Sequence, residues 1–224
     1  MNLTYKIRLL ILLSLGVLIM SCNSPSSTDI IKSFEDTTEA IYGPYRLYKL
    51  PIDKGVTVIN PVQVSLGPGG RIFGANQSGE IYTLHDSNGD GIEDEAKLYA
   101  DINEFGLHSP VGFAHKGDTV FIGTRTEVRA YLDLDQDAQA DTSWTFFNKI
   151  PVSEHPYEWT SSLNFGQDGW LYFVLTTDSW NPGASPDPEG LRGSILKVAP
   201  DGQHYEIVAT GIRSIHGMNF NPEG

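Results

Sequence analysis

Residues 62–101, VQVSLGPGGRIFGANQSGEIYTLHDSNGDGIEDEAKLYAD, decide the fold of this protein. The stretch holds four short runs rich in β-branched and aromatic residues, and Gly, Asn, Asp and Ser separate the runs. Such runs between turn residues are typical of β-strands. The same arrangement returns at 111–147 and, around a long insertion, at 161–211. The chain is therefore a series of repeated units, each with four predicted strands.

The length of the repeat indicates how the units assemble. Asp86 and Asp133 occupy equivalent places in the first two units, and spacings of roughly 40–50 residues are typical of propeller blades or helical arrays. Helical arrays lack this density of turns, whereas four strands make one blade of a β-propeller. We therefore predict an all-β fold, a β-propeller of four-stranded blades. Because residues 216–224, HGMNFNPEG, begin a fourth unit, we expect about three and a half blades, as the N-terminal part of a longer protein.

The charge of the chain limits its partners. Asp and Glu number 28 against 15 Lys and Arg, which gives a formal net charge of -13. This sign argues against electrostatic binding of nucleic acid or of anionic lipid head groups. It is compatible with an exported protein that holds cations.

The first 22 residues predict export and a lipid anchor. Lys6 and Arg8 precede an apolar run over 9–20 that is too short for a stable membrane span, which is typical of a secretory signal. The run ends in LIMSC, which resembles the lipobox of bacterial lipoproteins, where the cysteine is lipidated and becomes the new N-terminus. Cys22 is the only cysteine, so no intrachain disulfide is possible. The alternative is an ordinary cleaved signal with an incidental cysteine.

These features give a domain plan. We expect a lipoprotein signal peptide over 1–22, a flexible tether over 23–44 and the partial propeller over 45–224. A lipid anchor at Cys22 would hold the protein at the bacterial cell envelope, in the periplasm or exposed at the surface.

Two acidic loops predict calcium sites. Each follows the Asp-x-Asn-x-Asp-Gly pattern, in which alternate oxygen ligands of a tight loop converge on one cation. In the first loop the ligand positions are Asp86, Asn88, Asp90, the Ile92 carbonyl and Asp94. An EF-hand would need a Glu at the twelfth position, where Lys97 stands, and helices at both sides, where the flanks are strand-like. The alternative is a solvated turn rich in Asp and Asn.

The second acidic loop repeats the ligand positions with one difference. Its acidic residues are Asp133, Asp135, Asp137 and Asp141. Ala138 stands where the pattern has glycine, so we expect this loop to bind calcium less readily than the first. Both loops are predicted to connect the third and fourth strands of consecutive blades, where calcium would be structural.

The residues that precede each innermost strand predict a ligand site. In a propeller these strands line the central channel, so the residues before them approach one mouth of the channel. Polar groups that converge in this way are the usual geometry of a ligand site. We predict that cofactor-binding residues there are Asn60, His108, Arg213 and His216, with Glu158 beside them. The alternative is that these side chains only satisfy backbone groups of the loops.

Two longer loops contribute further candidates at the same mouth. His155 lies a few residues before the third inner strand and is a candidate catalytic residue. Trp180 lies in the insertion over 176–192, where its ring is suited to stacking on a sugar substrate. The alternative for this insertion is an exposed, proline-rich loop.

Several segments resemble one family of propellers. LNFGQDGWLYF at 163–173, LRGSILKVAPDG at 191–202 and ATGIRSIHGMNFNPEG at 209–224 are similar to segments of PQQ-dependent glucose and sorbosone dehydrogenases. TLHDSNGDGIEDEAKLYAD at 83–101 resembles bacterial membrane-anchored dehydrogenase-like propellers, which often carry a cytochrome c domain downstream. The resemblance covers roughly residues 45–224.

The resemblance implies a fold and a chemistry. It implies a six-bladed propeller with PQQ and calcium in the channel mouth and a carbohydrate or polyol substrate. The hydride of the sugar passes to the quinone while a histidine accepts the hydroxyl proton. Arg213 matches the arginine that contacts the cofactor, although Ser214 and Ile215 replace the Asn-Pro that follows it in the family.

The expected catalytic histidine is missing from its usual place. Counted back from Gly166, the position of the family's histidine holds Glu158, and His155 lies three residues further out. Either Glu158 or His155 is therefore the predicted base, since a partly desolvated carboxylate can accept a proton. Two alternatives stay open. One is a calcium-dependent hydrolase of the lactonase type that uses Glu158 and Asn60, and the other is a non-catalytic propeller that binds glycans or partners.

Overall fold

The computed structural model describes residues 41–42, 45–46, 49–152, 158–177 and 190–221. Contacts divide the chain into two compact units, residues 1–51 with 86–93, and residues 52–85 with 94–224. In the first unit, strands β1 (Ile41–Tyr42) and β2 (Tyr45–Arg46) form a short antiparallel pair. Within the described ranges, no helix has the length and apolar character needed to cross a membrane.

The second unit begins with a four-stranded antiparallel sheet that carries an added strand at its outer edge. The sheet has the strand order β4-β5-β6-β7, and β3 pairs with β7 in parallel. The strands are β3 (Lys54–Gly55), β4 (Pro61–Leu66), β5 (Ile72–Asn76), β6 (Glu80–His85) and β7 (Glu95–Asp101). Short 3-10 helices at Pro68–Gly70 and Ile102–Phe105 lie between β4 and β5 and after β7. This sheet is blade 1.

Blades 2 and 3 repeat the same plan. Each is an antiparallel sheet in which sequential strands are neighbours. Blade 2 comprises β8 (Gly112–Lys116), β9 (Thr119–Gly123), β10 (Val128–Leu132) and β11 (Thr142–Phe147). Blade 3 comprises β12 (Thr160–Phe165), β13 (Leu171–Leu175), β14 (Ser194–Val198) and β15 (Tyr205–Thr210). The predicted all-β fold, a partial propeller of four-stranded blades, is confirmed.

The blades pack face to face through two hydrophobic clusters. One cluster joins side chains of blades 1 and 2, and the other joins side chains of blades 2 and 3. Successive residues of a strand point to opposite faces of its sheet. On β9, Val120 and Ile122 therefore enter the first cluster while Phe121 enters the second. Blade 2 is buried on both faces, as a blade inside a ring should be.

The innermost strands lie side by side. β8 contacts both β4 and β12, which is the arrangement expected around a channel axis. The prediction that both acidic loops join the third and fourth strands of a blade is also confirmed, since one lies between β6 and β7 and the other between β10 and β11.

Candidate functional site

The inner strands of blades 2 and 3 start at the same end of the sheets. A Cβ atom added to Gly112 or Gly123 would lie 2.6 Å from the backbone oxygen of Thr160, the first residue of β12. Such close approach of two backbones requires glycine. His108, a few residues before β8, and Glu158, just before β12, consequently lie near this end of the two blades.

The chain returns to the same end after β15. The Thr177 amide donates to the Arg213 carbonyl at 2.9 Å, and the hydroxyls of Ser161 and Ser162 donate to the Ile215 carbonyl at 2.7 and 2.9 Å. These hydrogen bonds hold residues 213–215 against the start of β12. Ser162 has a φ of 56°, and a bulge interrupts the β12–β13 pairing at this point. Bulges next to functional sites re-aim side chains.

Two of the predicted residues lie on this returning segment. Arg213 and His216 are both exposed. The His216 ring packs edge-on to Trp159, with 6.2 Å between ring centroids, and its Nε2 lies 3.2 Å from the Ser214 hydroxyl. An imidazole and an indole are thus in contact where the third and fourth units meet.

Glu158 has a different environment. The residue is only 1% exposed, and the charge of its carboxylate acts on the half-buried Arg192. Partial burial lowers the pKa of Arg192 to about 10, and the charge of Glu158 partly offsets this change. Glu158 is therefore a counter-charge of this arginine. Its catalytic role stays a prediction.

Arg192 is a residue that the sequence analysis missed. Its Nε donates to the Pro151 carbonyl, Nη1 to that of Trp159 and Nη2 to that of Arg125, each at 2.9 Å. It connects the β9–β10 turn of blade 2 with the segment that leads into the third blade's inner strand. No spacing or motif marks this position, because it directly follows an irregular insertion. Only the fold shows that it is enclosed.

The other predicted mouth residues lie as follows. His108 is exposed, and the following Ser109 has a φ of 59°. Asn60 is exposed with a φ of 48° and lies on the wall of a cavity of about 390 Å³. The buried Asn76 forms another wall, and its Oδ1 accepts hydrogen bonds from the Ser78 hydroxyl and the Gly79 and Glu80 amides. His155, Trp180 and Cys22 lie outside the described residues.

The first acidic loop has the backbone of a cation-binding loop. The Gly91 amide donates to Asp86 Oδ2 at 2.7 Å, the Asp90 amide to Asn88 Oδ1 at 2.9 Å and the Ile92 amide to Asp90 Oδ1 at 2.9 Å. Gly91 has a φ of 88°. The hydrogen bond from Gly91 is the largest cause that keeps the pKa of Asp86 below its usual value. Asp94, in the larger unit, forms an ion pair with Lys54 at 2.5 Å.

The second acidic loop has the same hydrogen bonds at the same positions. The Ala138 amide donates to Asp133 Oδ2 at 3.0 Å, the Asp137 amide to Asp135 Oδ1 at 3.2 Å and the Gln139 amide to Asp137 Oδ1 at 2.8 Å. Ala138 takes the left-handed conformation of the missing glycine, with a φ of 79°. The substitution that lowered our expectation for this loop therefore leaves its backbone unchanged.

The carboxylates of the second loop converge. Oxygen atoms of Asp133, Asp135 and Asp141 lie within 4.8 Å of one another. Across the described ranges, this is the one group of three or more acidic, His or Cys side chains close enough to share a metal ion. The structure thus favours the second acidic loop as the calcium site, whereas the sequence favoured the first.

Solved structures with similar folds include sugar oxidoreductases. The PQQ domain of pyranose dehydrogenase from Coprinopsis cinerea, in its holo form, has a TM-score of 0.54 at 12% identity, over 68% of this chain and 39% of that one. An oxidoreductase described as a glucose dehydrogenase, from Thermus thermophilus, has a TM-score of 0.51 at 17% identity, over 78% of this chain and 58% of that one. A PQQ-bound aldose sugar dehydrogenase from Streptomyces coelicolor has a TM-score of 0.47 at 19% identity, over 69% of this chain and 48% of that one.

The first two likenesses show the fold: the chain shares the propeller fold of the pyranose dehydrogenase PQQ domain and of the Thermus thermophilus oxidoreductase. The chain spans between 39% and 58% of the length of the three structures. Among curated proteins, none matches the sequence. One family model, described as Domain of unknown function (DUF7133), matches residues 57–224. Because this match covers most of the chain, the protein belongs to the DUF7133 family.

Proposed function

We propose that the complete protein is a quinone-dependent sugar dehydrogenase whose channel mouth binds PQQ and a carbohydrate. One observation carries the proposal: the exposed His216 packs against Trp159 at the start of blade 3, on the same segment as the exposed Arg213. The propeller fold shared with sugar oxidoreductases supports it. Fold likeness alone does not establish function, so the residues of the mouth must be tested directly.

The residues at the mouth fit part of the cofactor. PQQ carries carboxylates, and an arginine binds a carboxylate through two parallel hydrogen bonds while its charge stays fixed. Arg213 is exposed, and we assign this contact with a PQQ carboxylate to it. When bound, PQQ supplies an acceptor for the hydride of a sugar carbon. Among the described mouth residues there is no cluster of carboxylates for the calcium that the resemblance implies there.

The described part of the mouth offers neither predicted base in an exposed position. His155 lies outside the described residues, and Glu158 is buried near Arg192. His216 is exposed beside Arg213, and an imidazole can accept a proton near neutral pH. We therefore assign the proton transfer from the sugar hydroxyl to His216, and the orientation of the bound group to Arg213 and Trp159.

A second candidate function follows from the contact between His216 and Trp159. The hydrolase of the lactonase type, which would use Glu158 and Asn60, stays a prediction. A propeller that binds glycans without oxidising them needs only the group of Trp159, Arg213 and His216, since aromatic rings and charged donors suffice for sugar recognition.

The test uses the complete, mature protein. PQQ binding is measured by titration, and dye reduction is then measured with a panel of aldoses in the presence of PQQ and calcium. We expect Arg213→Gln to weaken PQQ binding at least about tenfold, and His216→Gln to lower kcat without a matching loss of PQQ affinity. His204→Gln, an exposed histidine of the β14–β15 turn, is the matched control. Glycan binding without PQQ binding would overturn the dehydrogenase proposal in favour of the second candidate.

We also propose that Cys22 carries a lipid anchor at the cell envelope. The LIMSC stretch and the apolar run before it support this proposal. Mass spectrometry of the membrane fraction should find a lipidated N-terminal Cys22, and Cys22→Ser should release the protein into the soluble fraction. An unmodified Cys22 in the mature protein would contradict it.

A further inference from the structure

The second acidic loop is part of the interface between two blades. The Ala140 amide donates to the carbonyl of Tyr99, on β7 of blade 1, at 2.9 Å. Arg71, just before β5 of blade 1, places its Nη1 3.5 Å from Asp133 Oδ2. Ala138 is buried. The loop that follows β10 in blade 2 therefore contacts both the β4–β5 turn and the β7 strand of blade 1.

One carboxylate oxygen in this loop has no partner. The side chain of Asp133 is only 9% exposed, and its Oδ1 is enclosed without any hydrogen-bond partner. A buried polar atom left without a partner is costly, and a buried charge is more costly still. Arg71 approaches only the other oxygen, at the long distance of 3.5 Å. Asp135 and Asp141 add two more negative charges within 4.8 Å. This is the environment that a bound cation would complete.

The geometry points to a calcium ion in this loop: we propose that Asp133, Asp135 and Asp141 bind Ca²⁺, and that the ion fastens blade 2 to blade 1. All of the grouped ligands are oxygens, which suit hard cations such as Ca²⁺ and Mg²⁺. Ca²⁺ accepts six to eight ligands in flexible arrangements. Asp137 and the Gln139 carbonyl occupy the loop positions that supply further oxygens.

The affinity should be modest. The strong loops of this type end with a bidentate Glu at the twelfth position, where this loop has Trp144. Sites of extracellular modules bind calcium with dissociation constants of about 10⁻⁴–10⁻³ M. We expect the affinity of this site to lie in that range or to be somewhat weaker. Such an affinity is sufficient for a protein outside the cytoplasm. The proposal is independent of the quinone chemistry proposed for the mouth.

The first acidic loop provides an internal comparison. It has the same backbone hydrogen bonds, but its Asp86 and Asp90 are exposed. Asparagine keeps an Oδ1 that can accept the amide hydrogen bonds, so Asp→Asn removes charge while it preserves the loop. Asp133→Asn in the second loop and Asp86→Asn in the first are therefore matched variants, because each removes the charge of the first ligand position and keeps an acceptor for the amide five residues later.

The experiment uses the complete protein, stripped with chelator and titrated with CaCl₂ by calorimetry. Hydrogen exchange of peptides that cover β7 and the β10–β11 loop is followed with and without the ion. We expect Asp133→Asn to weaken calcium binding at least about tenfold and to remove the calcium-dependent rise in melting temperature. Asp86→Asn should leave both unchanged. Calcium should slow exchange in β7 as well as in the loop.

Four results would overturn the proposal. Loss of binding in Asp86→Asn but not in Asp133→Asn would assign the ion to the first loop. Binding that neither variant weakens would exclude an ion from the second loop, and so would no binding at all. Binding that depends on Asp133 but leaves the exchange of β7 unchanged would exclude the fastening of blade 1.

Discussion

Arg192 organises the end of the blades where the candidate site lies. Its guanidinium donates to the backbone carbonyls of Arg125, Pro151 and Trp159, and Glu158 supplies balancing charge. Glu158 is buried and Arg192 is half-buried. Removal of one partner of an enclosed charge pair leaves the other uncompensated, which costs more than the net contribution of the pair. We therefore expect the pair to be a structural requirement of the site.

We predict that Glu158→Ala lowers the free energy of unfolding by about 3 kcal/mol or more. Urea denaturation of the complete protein measures the change. Glu206→Ala is the control, because Glu206 pairs with Lys197 at the surface and exposed ion pairs contribute little. Equal small effects of both substitutions would show that Glu158 does not compensate a buried charge.

The same residues show what the sequence could and could not predict about the site. Arg213 and His216 were placed at the mouth because they precede an inner-strand pattern, and the structure packs His216 against Trp159. The burial of Glu158 was not predictable, because its partner Arg192 is far along the chain and follows an irregular insertion. A pattern of spacing reports which strand a residue precedes, but it does not report what covers the residue.

At the scale of elements, the edge of blade 1 is protected in an unexpected way. β3 has only two residues, so it carries no periodic signal in the sequence, yet it pairs in parallel with β7. The Val56 amide donates to the Ala96 carbonyl at 2.8 Å, beside Gly55. A Cβ atom on Gly55 would lie 1.9 Å from that carbonyl oxygen. β3 can therefore cover the edge of β7 only because residue 55 is glycine, and covered edges do not pair with other chains.

We predict that Gly55→Ala detaches β3 from β7 and leaves that edge open. Gly69→Ala is a matched control, since Gly69 also has a positive φ, 68° against 78°, but its Cβ would meet no atom within 4 Å. The control should cost about 1–2 kcal/mol from backbone strain alone, and Gly55→Ala should cost more. Only Gly55→Ala should speed amide exchange in β7 and promote aggregation. Identical exchange in the two variants would contradict the edge role of β3.

The four-stranded units were predictable because each strand is a short run rich in β-branched and aromatic residues between strong turn signals, and the acidic loops fell between the third and fourth strands as expected. The backbone conformation of the second loop was not predictable. Ala138 looked like a defect in the pattern, but burial of its methyl group and the hydrogen bond from its amide hold it in the left-handed region. Tertiary contacts thus overrode a local preference.

At the scale of the whole molecule, blade 1 presents an apolar row. Val62, Val64 and Leu66 of β4 are exposed, and Leu66 is 67% exposed. The ring of about six blades stays a prediction. In such a ring, a further blade of the same protein would cover this row, since each blade packs on the face of the next.

We predict that Leu66→Gln lowers the stability of the complete protein by about 2 kcal/mol, the value of burying a leucine side chain. Leu134→Gln is the matched control, because Leu134 has the same exposure of 67% but lies in the second acidic loop. Its substitution should change stability by less than about 0.5 kcal/mol. Thermal unfolding of both variants decides the question, and equal effects would mean that the row on β4 stays in contact with water.

The double burial of β9 has a consequence for how the molecule comes apart. Val120 and Ile122 belong to the cluster shared with blade 1, and Phe121 belongs to the cluster shared with blade 3. If the interface between blades 1 and 2 loosens, β9 moves, and β9 also supports the interface between blades 2 and 3. The three blades therefore cannot unfold one at a time. Independent repeats would give a broad, stepwise transition, whereas a shared strand couples neighbours into one cooperative event. Blade 2 thus acts as the cooperative link of this part of the propeller, and β9 should be the last strand to exchange its amide hydrogens.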